Sequence, residues 1–201
     1  MKILSNNQIT KNIKDIKIID NFFSRECLLA LRYRMIFNKF FDKKYDDYTA
    51  SHYYPNQDYI TDKIVEELNK KIDLPQFQRG WSFLYFRNAK GVPIHCDPSV
   101  INMNVWVSSD QSVADVNKNG LNIYRILPPS NWSRKDWNGN PLKAEKYIKN
   151  NSVKPVKIPY KSNRAIFFNG AYFHETNEVS MKPGVENMRV SYTLLFGNNL
   201  E

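Results

Sequence analysis

Phe77-Gln78-Arg79-Gly80-Trp81-Ser82-Phe83-Leu84-Tyr85 is where the chain changes period. Before it, apolar residues recur at helical spacing. From Phe77 they alternate, which places Phe77, Trp81, Phe83 and Tyr85 on one face of a strand ending at the turn Asn88-Ala89-Lys90-Gly91. Further strands are predicted over Val100–Val107, Leu121–Arg125, Val156–Tyr160, Ala165–Asn169 and Arg189–Phe196, all rich in the β-branched and aromatic residues that pleated surfaces favour. The expected fold class is therefore mainly β, in an α+β arrangement, with the β-rich core over residues 77–198.

Working back from Phe77, residues 1–76 read as a strand followed by two helices. Ile16–Asp20 is the strand, and Ser24 is suited to cap a helix over about residues 25–38 that aligns Leu28, Leu31 and Met35. A second helix, Tyr59 to Ile72, carries Ile64, Leu68 and Ile72 on one stripe and is stopped by Pro75. Both helices are expected to buttress the sheet.

At 201 residues the chain suits one domain, 1–201, and its 42% hydrophobic and 14% aromatic content is that of a globular protein. No apolar run approaches the roughly 20 residues that cross a bilayer, and MKILSNNQITKNIKDIKI lacks the apolar stretch of a secretory signal. A cytoplasmic location without a membrane partner is the expectation. The two cysteines, Cys27 on a helix and Cys96 in the motif below, suggest neither a disulfide nor a zinc site. The net charge of +9 would suit nucleic acid or another acidic partner, but the lysines are scattered, which argues for general solubility over a basic patch.

Between Leu127 and Ser152 lies PPSNWSRKDWNGNPLKAEKYIKNNS, with at most one short helix expected near Ala144–Ile148. A loop this long commonly serves as a lid or binding loop. Trp132 and Trp137, with Arg125, Arg134 and Lys135 nearby, are its candidates for touching substrate.

Two of the three histidines sit where a metal could be held. In Val92-Pro93-Ile94-His95-Cys96-Asp97-Pro98-Ser99, residues 95 and 97 are two apart in an extended segment, so an imidazole and a carboxylate leave the same face. His174 follows the apolar strand at 165–168 and Asn169-Gly170, and a strand returning beside the first could deliver it to the same ion. One carboxylate and two imidazoles leave adjacent positions open, the arrangement of non-haem iron oxygenases. In Arg189-Val190-Ser191-Tyr192-Thr193, the side chains of Arg189, Ser191 and Thr193 share a face, and an arginine aimed into a sheet interior needs an anion. His52, in Ser51-His52-Tyr53-Tyr54-Pro55, reads as a loop residue, with a substrate-side role as the lesser alternative.

In ordered combination these segments resemble the Fe(II)- and 2-oxoglutarate-dependent oxygenase superfamily, in particular its prolyl-4-hydroxylase-like branch. The resemblance spans roughly residues 13–198 and is carried by IKIIDNFFSRECLLALR, YFRNAKGVPIHCDPS and NRAIFFNGAYFHETNEVSMKPGVENMRVSYTLLFG. It implies a double-stranded β-helix, a jelly-roll like that of cupins, with the N-terminal helices on its major sheet. It also implies Fe(II) held by His95, Asp97 and His174, with Arg189 and Ser191 gripping the distal carboxylate of 2-oxoglutarate and Tyr85 beside them. O2 would be the oxidant and succinate and CO2 the coproducts, with ascorbate as a possible support.

Because Asp97 supplies a carboxylate where the family's halogenases carry a small residue, the resemblance implies hydroxylation of an unidentified peptidyl, amino-acid or small-molecule substrate. Asn102 and Asn104 alternate into the strand after the motif, where they could bind cosubstrate or substrate, or merely satisfy backbone groups. The segment EVSMKPGVEN between His174 and Arg189 is longer than in many prolyl hydroxylases. Two alternatives remain open from the sequence: a nucleic-acid-directed demethylase of the same superfamily, and a catalytically silent cupin-like binding module. Oligomeric state is not legible.

Overall fold

The computed structural model describes residues 2–5, 13, 15–37, 42–86 and 88–199. In chain order the elements are β1 (Lys17–Ile19), α1 (Arg25–Ile36), β2 (Lys43–Lys44), β3 (Tyr48–Tyr53), α2 (Tyr59–Asn69), β4 (Phe77–Tyr85), β5 (Ile101–Trp106), β6 (Leu121–Tyr124), α3 (Arg134–Asn138), α4 (Pro141–Asn150), β7 (Val156–Ile158), β8 (Ala165–Phe168), β9 (Phe173–Thr176) and β10 (Arg189–Phe196). The strands form a seven-stranded sheet, β1-β8-β5-β10-β4-β3-β2, and a three-stranded sheet, β7-β6-β9. Every pairing is antiparallel.

The smaller sheet gains a fourth member outside the named strands. Backbone bridges join Ala89 to Val179 and His95 to His174, and Thr176 N–H donates to the Val92 carbonyl at 3.0 Å. Residues 88–91 thus continue as extended, paired chain rather than forming the turn expected from Asn88-Ala89-Lys90-Gly91. Gly91 has φ +84°, and a Cβ there would collide with the carbonyl oxygens of Thr176 and Asn177. Glycine permits that close approach.

Helices α1 and α2 pack on the outer face of the large sheet, as expected. Leu31 and Met35 of α1 and Ile64 and Leu68 of α2 share one core with Leu84, Met103, Val190, Tyr192 and Phe196. Ser24 does cap α1, accepting from Cys27 N–H at 3.1 Å. The expected end of that helix, residue 38, lies outside the described residues. Helix α2 ends at Asn69, short of Ile72, which is nevertheless buried in the same core. A second core fills the space between the sheets, from Trp106, Leu121, Ile123, Ile158, Ile166 and Phe168.

Three readings of the sequence are corrected here. Phe77 does not share a face with Trp81, because the β4–β10 register shifts between Leu195 and Phe196, and Phe77 turns outward to pack with Phe196. His52 is not a loop residue but lies in β3, opposite Trp81. The 127–152 segment holds two helices in place of one. Their start signals are local: Asp136 accepts from Ser133 N–H and Oγ, both at 2.9 Å, and Asn140 caps α4 ahead of Pro141.

The outer core sets a first test. Leu68 is fully buried while Lys63, on the same helix, is exposed in a pair with Glu66. Leu68→Ala is expected to cost about 2–5 kcal/mol in urea unfolding, through lost apolar burial and the cavity left behind. Lys63→Ala should stay within about 0.5 kcal/mol.

Candidate metal centre

The large sheet's concave face is ordered by register. Because side chains alternate along a strand, residues paired across strands stack into rows on one face. One row runs Tyr48–Tyr85–Arg189 and the next Ala50–Phe83–Ser191–Trp106. A third runs His52–Trp81–Thr193–Asn104–Ile166, and a fourth Arg79–Leu195–Asn102–Phe168. Arg189, Ser191 and Thr193 therefore do share a face, as the sequence spacing requires.

The smaller sheet faces these rows and supplies the histidines. His95 donates its N–H to the His174 carbonyl at 3.0 Å and accepts from His174 N–H at 2.8 Å, so both imidazoles leave the same point of the sheet. Their ring centres are 4.3 Å apart. Each Nδ1 meets a backbone carbonyl two residues back in the chain, Pro93 O at 2.8 Å for His95 and Tyr172 O at 2.9 Å for His174. A carbonyl can only accept, so Nδ1 carries the proton and the Nε2 lone pair is left free to ligate.

Asp97 completes the cluster. One carboxylate oxygen lies 3.3 Å from His174 Nε2, the other 4.0 Å from His95 Nε2, and one ligand atom from each of the three residues lies within 4.8 Å of the others. Burial would raise the carboxyl's pKa. The neighbouring imidazoles of His174 and His95 and the Asn102 amide outweigh it and hold the group at about 2. Burial first, and then the proximity of the second imidazole, pushes His95 down to about 4, against the pull of Asp97. At neutral pH the cluster thus presents an ionised carboxylate and, at His95, a neutral imidazole, the forms that ligate a cation.

A second layer fixes that carboxylate. Asn102 Nδ2 donates to Asp97 Oδ2 at 2.7 Å, and Ser99 Oγ contacts Asn102 Oδ1, which orients the amide. The Asp97 N–H donates to Gly170 O at 2.8 Å. A Cβ on Gly170 would strike Ser99 Oγ and lie 2.7 Å from Asn102 Oδ1, so only glycine lets this strand end approach. Holding the Asp97 carboxylate is a role for Asn102 that the sequence reading did not name.

Arg189 lies at the closed end of the same face, beside Tyr85. It is 1% exposed; Nη2 donates to the Asn119 carbonyl at 3.2 Å, while Nε and Nη1 are buried without a hydrogen-bond partner among the described residues. Its guanidinium carbon is 5.0 Å from the centre of the Tyr85 ring, and the Tyr85 hydroxyl likewise lacks a partner. Burial pushes the arginine's pKa below its ordinary value. A buried cation with two idle donors costs several kcal/mol unless an anion completes it.

A cavity of about 450 Å³ joins the metal cluster to the concave face; its lining includes His95, Asp97, His174, Asn102, Asn104, Ser191 and Thr193. Asn104 donates to Thr193 Oγ1 at 3.1 Å and keeps an unpartnered Oδ1. Arg189 and Tyr85 do not line it. Neither do Trp132, Trp137 and Arg125: Trp132 packs on Tyr147 and Phe173, Trp137 is buried beneath the His95 segment, and Arg125 pairs with Asp15 at 2.7 Å. The 127–152 segment reaches the cavity instead through Arg134, Asn138, Gly139 and Pro141, and from β2–β4 come Lys43, Tyr48, His52, Arg79, Trp81 and Phe83. Sequence reasoning missed this β2–β4 wall because the strands that build it, β2 and β3, carry weak period-2 signals. Among the described residues no helix is long and apolar enough to cross a membrane.

No family model matches the sequence, and no curated protein matches it closely enough to align. Solved structures do resemble the fold. A Pseudomonas putida prolyl-4-hydroxylase covers 92% of this chain and 93% of its own at TM-score 0.58 and 12% identity. The non-haem α-ketoglutarate-dependent carbocyclase SnoK of nogalamycin biosynthesis gives TM-score 0.57 at 9% identity, over 90% of this chain and 79% of its own. HygX from Streptomyces hygroscopicus, with nickel, 2-oxoglutarate and hygromycin B bound, gives 0.55 at 9%, over 90% and 82%. The chain thus has the double-stranded β-helix fold of the iron- and 2-oxoglutarate-dependent oxygenases.

Proposed function

We infer that this protein is an Fe(II)- and 2-oxoglutarate-dependent oxygenase that hydroxylates an organic substrate, peptidyl or small, with release of succinate and CO2. One observation carries the reading. Two facing sheets present an open-sided His95–Asp97–His174 cluster on one side and, on the other, a fully buried arginine whose Nε and Nη1 have no partner among the described residues. A metal explains the first and a carboxylate-bearing cosubstrate the second.

The donor set fits the group. Two imidazoles and one carboxylate suit divalent iron, and His95, Asp97 and His174 would hold it without saturating it. Bound there, the iron supplies oxidising power from the oxidative decarboxylation of the cosubstrate. The chain's own residues do the rest. Pro93 O and Tyr172 O hold the imidazoles in the ligating tautomer, Asn102 holds the Asp97 carboxylate, and Arg189 anchors the distal carboxylate through a charge-assisted hydrogen bond from a free N–H, with Ser191 adding a hydroxyl. The Tyr85 ring covers the arginine and keeps water from it. Ascorbate would serve only to keep the metal reduced. The lid role of the 127–152 segment rests on Arg134, Asn138, Gly139 and Pro141 lining the cavity.

The class is tested by anaerobic titration with Fe(II) and 2-oxoglutarate, followed optically, and then by succinate assay after O2 is admitted. Wild type should show a visible metal-to-cosubstrate band and form succinate, and His174→Ala should show neither. A folded wild-type protein giving neither signal would refute the class. Arg189→Ala should raise the 2-oxoglutarate concentration for half-maximal succinate formation at least about tenfold, because a charge-assisted pair is lost, while Fe(II) affinity changes little. Asn102→Ala should do the opposite, weakening Fe(II) about 10–100-fold with the 2-oxoglutarate requirement at saturating metal little changed.

A further inference from the structure

The cavity wall contributed by β2, β3 and β4 is aromatic and basic, and nothing in the metal chemistry uses it. Strand β4 sends Arg79, Trp81 and Phe83 to the concave side, and β3 sends Tyr48 and His52. The rings are ordered. Trp81 and Phe83 lie nearly parallel at 6.2 Å between centres, Phe83 meets Tyr48 at 5.1 Å, and Tyr48 stacks on Tyr45 at 4.4 Å. Trp81 and Phe83 are only half-buried despite their size, so the ladder keeps a face open to the cavity.

Three cations stand on the same lining: Lys43, Arg79 and Arg134. Arg79 lies over Trp81, with 6.0 Å from guanidinium carbon to ring centre. Among the described residues none of the three has a carboxylate partner, so none is neutralised by a neighbour on the lining. The lining's sole carboxylate is Asp97, which is committed to the metal cluster. Asp42, nearby in sequence, is bound by the His52 backbone N–H and ring and does not line the cavity. Arg189 already serves the cosubstrate, so these cations are surplus to it.

We propose that the substrate is a small planar aromatic molecule bearing an acidic group, its ring laid along the Trp81–Phe83–Tyr48 ladder and its anion held by Arg79, Arg134 and Lys43. This deepens the oxygenase reading, and rests on it for the word substrate. Size supports the choice: about 450 Å³ is the volume of a small-molecule site. The three cations line one cavity rather than tracking along a surface, as a nucleic-acid backbone would require. An aromatic wall with an adjacent guanidinium rewards a flat anion twice, by stacking and by charge-assisted hydrogen bonds. Carboxylate, sulfonate and phosphate esters share this chemistry.

The test is calorimetric titration of the full chain, once with Mn(II) and 2-oxoglutarate present and once with neither. The probes are naphthalene-2-carboxylate, naphthalene-2-sulfonate and 2-naphthyl phosphate, with naphthalene-2-carboxamide and cyclohexanecarboxylate as the neutral and the non-aromatic comparisons. At least one naphthyl anion should bind saturably, and both comparisons about tenfold or more weakly. The three anions rank the acidic group. Arg79→Ala and Trp81→Ala should each weaken the naphthyl anion about tenfold. The double variant Lys43→Ala/Arg134→Ala, at exposed positions that folding does not need, should do the same. Lys118→Ala, in an ion pair away from the cavity, should change nothing.

The inference is overturned if no naphthyl anion binds, if the carboxamide binds as well, or if Arg189→Ala alone abolishes binding, since the probe would then occupy the cosubstrate slot. It is also overturned if a short thymidine oligonucleotide binds more tightly and displaces the probe. Metal and cosubstrate binding without the aryl anion would sink this inference alone. Aryl-anion binding to a protein that takes neither would sink the oxygenase reading instead.

Discussion

Two backbone hydrogen bonds between His95 and His174, at 3.0 and 2.8 Å, are the constraint on which the rest of the site depends. They join segments far apart in sequence, so that two imidazoles emerge side by side from the edge of the smaller sheet. Each ring is then turned by a carbonyl of its own segment, and Asp97 enters from the chain end that Gly170 O holds. No ligand depends on its own rotamer preference alone. The geometry is carried by the ladder between residues 89–95 and 174–179, and that ladder tolerates no side chain at Gly91 or Gly170.

The 127–152 insertion is tied into this ladder. Cys96 N–H donates to Trp137 O at 2.9 Å, Asn138 Nδ2 donates to the Cys96 carbonyl at 2.6 Å, and Ile94, Cys96 and Phe173 pack with Trp137, Ala144 and Ile148. Its two indoles therefore bury apolar area behind the metal-binding segments. The residues it exposes to the cavity are the polar ones between and beside its helices. An insertion that supports the ligands from behind and reaches the mouth with Arg134 couples the cavity entrance mechanically to the metal cluster.

Charge is distributed along the concave face in the order a two-substrate reaction needs. Arg189 is buried on the large sheet, the candidate metal-binding carboxylate and imidazoles of Asp97, His95 and His174 stand opposite it, and Lys43, Arg79 and Arg134 line the cavity. Separate cations beside a metal would orient two anionic molecules without confusing their places. The protein's overall charge of +9 would favour the approach of such anions.

By itself the sequence determined the period change at Phe77, the capped helix after Ser24, the HxD pairing of His95 with Asp97 and the shared face of Arg189, Ser191 and Thr193. These depend on side-chain alternation and local hydrogen bonding, which act within a few residues. Only the tertiary structure decided that Phe77 turns outward, that His52 belongs to a strand and that the insertion's tryptophans face inward. The same holds for Asn102, which clasps Asp97, and for Arg79 and Trp81, which reach the cavity. A bulge, a strand with little apolar signal and a buried amide each take their role from partners distant in sequence, and no local pattern records those partners.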